Sequence, residues 1–190
     1  MKKKINIHAV LPLSAVNGPG KRLVVFFQGC RRGCAGCFNP DTHSFGERGL
    51  YEAGEVFERF LTPGAEGMTV SGGEPFEQPE GLLELLAEAA ARGLSRVVYT
   101  GFTIEEIRED GAMAACLPLI DVLIDVPYEK EKKETTLLAR GSSNQRIHLL
   151  TGRYQAGDFV MPGRVEILIG RDGVIRETGF GSVAPKAANG

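Results

Sequence analysis

The chain has 190 residues, which suits one domain with a sizeable core. With 43% hydrophobic and 24% charged residues and a net charge of −2, it is an ordinary globular mixture. No basic stretch follows Met1-Lys2-Lys3-Lys4 and no apolar run has the length of a membrane span, which argues against nucleic acid or a membrane as the main partner. Ile5-Asn6-Ile7-His8 is no signal-peptide core. The chain is therefore expected in the cytoplasm, where thiols stay reduced and clustered cysteines favour metal or cluster binding over disulfides.

Residues 5–13 read as a short strand or extended arm, and Val16-Asn17-Gly18-Pro19-Gly20 as a turn. Arg22-Leu23-Val24-Val25-Phe26-Phe27-Gln28 is the kind of run buried on both faces of a sheet. It ends at Gly29, and a cysteine loop begins at once. Residues 53–62 suit a helix with Val56, Phe57 and Phe60 on one face, stopped by Pro63-Gly64. Met68-Thr69-Val70 is a short strand leading into Ser71-Gly72-Gly73-Glu74-Pro75. The next helix runs from Pro79 to Arg92, with Leu82, Leu85, Leu86 and Ala89 as its apolar stripe and Gly93 as its cap.

Arg96 to Gly101 predicts a strand, and Thr103-Ile104-Glu105-Glu106 has the form of a capping box opening a further helix. Residues 112–117 read as helical and Leu119 to Asp125 as a strand ending in a carboxylate. Residues 128–140 are charged and aperiodic, a surface loop with a helical turn, and Arg146 to Leu150 is another strand. Apolar runs on either side of Arg171-Asp172-Gly173 predict a hairpin over 164–178, and 185–190 reads as a disordered tail. Strand and helix alternate from residue 22 to about 150, which predicts parallel βαβ units. These are too few for an eight-stranded barrel. The expected architecture is α/β: a partial (β/α) barrel with a parallel sheet in one domain over 1–190, plus the C-terminal β-hairpin.

Cys30, Cys34 and Cys37 stand as C-x3-C-x2-C on a loop with Gly33 and Gly36. Three thiolates so close in sequence can converge on one metal or cluster, and three protein ligands leave a position open for something that is not protein. His43 is near enough to complete a zinc site of three cysteines and one histidine. A zinc loop, however, explains nothing about residues 71–75 or 140–146. The fourth cysteine, Cys116, sits in an apolar context and reads as an inert core thiol. His8 and His148 lie in or beside apolar strands and read as core histidines. In a parallel sheet the cysteine loop, Ser71-Gly72-Gly73-Glu74, Thr100-Gly101 and Asp125 all follow strand ends on one side, so they can face one cavity. Arg140 and Ser142 read as part of a loop at that cavity.

The cysteine motif with its downstream Gly-Gly-Glu-Pro resembles the radical S-adenosylmethionine superfamily. Asn17-Gly18-Pro19-Gly20, Phe27-Gln28-Gly29-Cys30, Cys37-Phe38-Asn39-Pro40, Tyr99-Thr100-Gly101-Phe102, Asp121 to Asp125 and Arg140-Gly141-Ser142-Ser143-Asn144-Gln145-Arg146 are similar to segments of the activases of anaerobic ribonucleotide reductase. The resemblance implies a 4Fe-4S cluster on Cys30, Cys34 and Cys37, with S-adenosylmethionine chelating the fourth iron. Its reductive cleavage gives a 5′-deoxyadenosyl radical that takes a hydrogen atom from a glycine of a partner, a glycyl radical enzyme. The resemblance further implies that the methionine amino group meets Gly72-Gly73-Glu74 and that backbone at Gly36, Cys37 and Phe38 meets the adenine. Ser71, Thr100, Asp125, Arg140 and Ser142 are the remaining candidate contacts, and a flavodoxin or ferredoxin is the expected electron donor. The alternatives are a radical enzyme acting on a free metabolite, resembling 7-carboxy-7-deazaguanine synthase, and a non-catalytic zinc or iron–sulfur binding module.

Overall fold

The computed structural model describes residues 3–161, 165–169 and 175–179. Strand β1 (Ile5–Ser14) leads through the Gly18-Pro19-Gly20 turn into β2 (Arg22–Phe27). A short β3 (Leu50–Tyr51) precedes helix α1 (Ala53–Phe60). Then follow β4 (Gly67–Gly72), α2 (Pro79–Ala91), β5 (Ser95–Tyr99), α3 (Ile104–Glu109), α4 (Gly111–Ala114) and β6 (Val122–Asp125). Strand β7 (Arg146–Leu149) and the hairpin β8 (Val165–Ile169) and β9 (Ile175–Gly179) follow as the last elements among the described residues. The hairpin's Asp-Gly turn and the tail expected at 185–190 lie outside the described residues.

Local signals act where the sequence places them. Pro79 opens α2, where a missing N–H costs nothing, and Gly93 follows it at φ +73°. Thr103 and Glu106 form the reciprocal capping box at α3: Glu106 N–H donates to Thr103 Oγ1 at 3.0 Å, and Thr103 N–H to Glu106 Oε2 at 2.6 Å. Strand β6 starts later than expected, because Leu117–Leu119, containing Pro118, closes a turn of 3-10 helix first.

The main sheet has seven strands in the order β3-β1-β2-β4-β5-β6-β7. Its centre, β2-β4-β5-β6, is parallel. Its flanks are not: β1 runs antiparallel to β2, and β7 antiparallel to β6. The expectation of parallel units to residue 150 therefore fails at β7. No crossover helix lies between β6 and β7; the connection holds only a turn of 3-10 helix at Lys130–Lys132, and a chain that does not cross the sheet returns antiparallel. The sheet does not close, so the partial barrel is an open one.

Side chains alternate cleanly between its two faces. Leu23, Val25, Phe27, Met68, Val70, Val98 and Leu123 pack against α1, α2 and α3 in the larger core. On the opposite face, Val97, Val122 and Ile124 are covered by the chain's own Ala139 and Phe159. The rest of that face, at Phe26, Thr69 and Ser71, lines a cavity. One face is thus filled, and the other is half filled and half open.

Arg22, fully buried at the start of β2, ties the floor of this arrangement together. It donates to Thr69 Oγ1 (2.7 Å), Pro19 O (2.8 Å), Met68 O (2.7 Å), Tyr154 Oη (2.9 Å) and Ser95 Oγ (3.1 Å). Burial pulls its guanidinium below the ordinary arginine range, and neighbouring acceptors oppose that. Arg22→Met removes this shared donor from Thr69, Pro19 and Met68, and urea unfolding is expected to show a loss of about 3 kcal/mol.

Candidate functional site

The cavity has a volume of about 680 Å³ and takes its wall from the carboxyl ends of the parallel strands. Cys30, Cys34 and Cys37 all line it, together with Phe38, Ser71, Gly72, Gly73, Glu74 and Thr100. Three of the four strand ends expected to face one cavity do so, and Asp125 does not line it.

The residues that lead into the cysteine loop are held against the Gly-Gly-Glu segment by backbone hydrogen bonds. Gly73 N–H donates to Phe27 O and Glu74 N–H to Gly29 O, both at 2.8 Å, so the β2–β4 pairing runs on past the strand ends. Gly72 has φ +101°, and a Cβ there would stand 2.6 Å from Phe27 N; a Cβ on Gly73 would overlap Gly29 O. Only glycine allows this approach.

Glu74 is 1% exposed and joins a third strand end to the pair. Its Oε1 accepts from Phe76 N–H (3.0 Å) and Thr100 Oγ1 (2.8 Å), and its Oε2 from Gly101 N–H (2.7 Å). Burial raises its carboxyl to about 7, against the opposing pull of those donors and of Arg32. Arg32 stacks on Phe102, its Cζ 3.6 Å from the ring centroid, and lines the same cavity.

The three cysteines are free and half-buried. Arg32 N–H donates to Cys30 Sγ and Asn39 N–H to Cys37 Sγ, each at 3.4 Å. Burial pushes both thiols up, and the N–H donors partly offset it. Backbone donors on sulfur suit the thiolates of an iron–sulfur cluster, whose charge they stabilise, and a bound cation reverses the upward push. The thiols share a wall without forming a closed metal-binding group among the described residues. Gly33 (φ +60°) and Gly36 (φ +67°) supply hinge positions in the loop, and ligand loops of this kind take their final geometry from the metal. In donor type and number, the set fits a cluster.

His43 lines the cavity with a buried Nε2 that has no hydrogen-bond partner in the structure, yet it too forms no metal group with the thiols. Cys116 lies in the helix-side core, its thiol pushed up to about 12 by burial, and cannot serve as a fourth ligand. His8, expected in the core, instead lines the cavity half-buried, with Nδ1 2.8 Å from Gln28 Oε1.

Four expected contacts stand elsewhere. Gly36 packs against Lys130 outside the cavity lining. Asp125 is fully buried and held by Arg146 Nε (2.9 Å) and Ile104 N–H (2.9 Å). Arg140 pairs with Glu134 and donates to Gln145 O, and Ser142 Oγ accepts from Glu129 N–H. Their task is to shape the 140–146 loop, whose Gly141 and Gln145 do reach the cavity. There Gly141 backs the ring of Phe38, and Phe38 packs on Tyr128 with centroids 4.7 Å apart. Sequence reasoning missed Arg32, Tyr128 and Asn17 as lining residues. The Asn-Gly-Pro-Gly turn is a signal for the last, and Arg32 stands inside the cysteine loop; nothing local marks Tyr128.

Gly73→Ala is expected to displace the cysteine loop, costing about 2 kcal/mol in thermal unfolding and lowering iron uptake on anaerobic reconstitution. Glu74 supplies a pH test in cluster-free protein. Its folded carboxyl lies above the ordinary value of 4.5, so the folded state binds the extra proton. Its contribution is intact below 4.5 and is lost as pH rises through about 7. Stability of the native chain should fall across that window, and Glu74→Gln should flatten the fall in a series of urea titrations.

Residues 16–148 match the family model described as a 4Fe-4S single cluster domain. The anaerobic ribonucleoside-triphosphate reductase-activating protein of Vibrio cholerae is 32% identical over 157 residues, 77% of this chain and 99% of that protein. The proteins of the same name from Pasteurella multocida (34%, covering 74% and 94%) and Escherichia coli (30%, covering 77% and 99%) match similarly. The solved structure of QueE from Escherichia coli aligns over 54% of each chain at 22% identity and TM-score 0.42, a partial likeness that carries no argument about activity. With its three cysteines inside the matched span and nearly the whole length of these relatives accounted for, this chain belongs to the 4Fe-4S single-cluster family of anaerobic ribonucleoside-triphosphate reductase-activating proteins.

Proposed function

We propose that this protein is a radical S-adenosylmethionine activase that installs a glycyl radical on a partner enzyme, the anaerobic ribonucleotide reductase. The observation that carries the reading is the Cys30–Cys34–Cys37 loop on the wall of one cavity, its root at Phe27 and Gly29 hydrogen-bonded to Gly73 and Glu74. Cys30, Cys34 and Cys37 would hold a 4Fe-4S cluster. Such a cluster supplies the electron for reductive cleavage of S-adenosylmethionine to methionine and a 5′-deoxyadenosyl radical, which then takes a hydrogen atom from the partner's glycine Cα.

The chain's residues position and shield that chemistry. Gly72 and Gly73 keep side chains off the wall, so a ligand's amino and carboxylate groups can lie against backbone. Phe38 and Tyr128 offer flat surfaces at the rim for a purine. Ala9, Leu11, Phe26 and Val126 line the cavity with apolar surface, which excludes water and competing hydrogen donors. Cofactor contacts are assigned to Phe38, Ser71, Gly72, Gly73, Glu74 and Thr100, and supporting roles to Gly36, Asp125, Arg140 and Ser142. A flavodoxin or ferredoxin in the cytoplasm is the proposed electron source. No helix among the described residues is long and apolar enough to cross a membrane.

Anaerobically reconstituted protein, given reductant and S-adenosylmethionine, is expected to form 5′-deoxyadenosine. With the organism's reductase it should give a glycyl doublet in electron paramagnetic resonance. Cys34→Ala should abolish cluster absorbance, cleavage and doublet together. Deoxyadenosine without a doublet sinks the activase reading and leaves a small-molecule radical enzyme; bound zinc without iron or sulfide sinks both.

A further inference from the structure

The β8–β9 hairpin lies beyond residue 148, where the family model ends. It is nonetheless tied to the site. Its strands pair in register from Val165↔Gly179 to Ile169↔Ile175. A two-stranded hairpin alone is marginal in water, so its place depends on docking.

Two latches on the loop after β1 supply that docking. Glu166 Oε1 accepts from Ala15 N–H at 2.8 Å. Asn17 Nδ2 donates to Thr178 Oγ1 at 3.0 Å and to Ser14 Oγ at 2.9 Å. Asn17 is itself anchored, because Thr69 Oγ1 donates to its backbone carbonyl at 2.7 Å and Arg22 Nε donates to that same Thr69 hydroxyl. The hairpin thus hangs from the buried Arg22 network. In that position Glu177, Thr178 and Gly179 line the same cavity as the three cysteines.

Resting on the activase reading, we infer that this hairpin is a specificity wall: it contacts the glycine-bearing peptide segment of the partner and sets which segment enters the cavity. The three lining residues suit a peptide. Glu177 is exposed and offers a carboxylate to backbone N–H groups or a basic side chain. Thr178 offers a hydroxyl, and Gly179, at φ +111°, offers backbone without a side chain. A wall of this kind leaves cofactor cleavage alone and acts on the coupling of cleavage to hydrogen abstraction.

The test uses the full chain with its cluster and the reductase. Amide hydrogen exchange of residues 165–169 and 175–179 should slow when the reductase is added to the native protein. Glu166→Ala breaks one latch without touching a cavity residue. It should keep cluster absorbance and partner-free cleavage of S-adenosylmethionine, while the KM for the reductase rises about tenfold and glycyl radical formed per deoxyadenosine falls. Glu177→Lys should shift the same two quantities. Unchanged exchange together with unchanged coupling in both variants overturns the wall; if a variant fails to fold, the exchange result on native protein decides by itself. Native protein that cleaves S-adenosylmethionine but radicalises no reductase overturns the activase reading, and the wall with it.

Discussion

The whole site depends on one close approach, that of the Gly72-Gly73 backbone to Phe26, Phe27 and Gly29. Strands β2 and β4 are neighbours in a parallel sheet, and at most such strand ends the two chains splay apart into their loops. Here they stay hydrogen-bonded for two residues more, through Gly73 N–H to Phe27 O and Glu74 N–H to Gly29 O. That extension is possible only because neither residue 72 nor residue 73 has a Cβ. It pins the root of the cysteine loop, at Gly29, against the Gly-Gly-Glu segment before any ligand binds.

From this contact the rest of the wall is built by Glu74. Its side chain has left water and accepts only donors, from Phe76 on its own strand end and from Thr100 and Gly101 beyond β5. Burial favours the protonated carboxyl, and the three donors and nearby Arg32 favour the charged one. The balance near neutrality makes Glu74 responsive to whatever charge arrives in the cavity. The thiols of Cys30 and Cys37 obey the same rule: burial raises them, and a bound cation would lower them.

The open half of the sheet's inner face is as consequential as the filled half. Ala139 and Phe159 plug it beside β5 and β6, which leaves the strip over β2 and β4 as cavity. The hairpin borders that strip through Ala15 and Asn17. The cysteine loop and the Gly-Gly-Glu segment sit at the strand ends, and the hairpin's Glu177, Thr178 and Gly179 line the same cavity beside them.

Much of this was legible in the sequence, because its signals are local. Pro79 and Gly93 bound α2, and the Thr103–Glu106 pair caps α3, whatever surrounds them. The spacing of Cys30, Cys34 and Cys37 marks a ligand loop by chemistry alone, and the run Arg22–Phe27 declares a strand buried on both faces. What the sequence could not carry is which distant segments meet. Asp125 ends its strand as expected, yet Arg146 and Ile104 claim it, since partners of a buried carboxylate come from elsewhere in the chain. The antiparallel turn of β7, the reach of Tyr128 and Gly141 to Phe38, and the latch from Asn17 to Thr178 all span residues whose order carries no sign of contact. Sequence by itself determined the candidate ligands and most of the elements, through donor type and backbone propensity. Tertiary structure alone decided the cavity, because a cavity is the space that packing leaves unfilled.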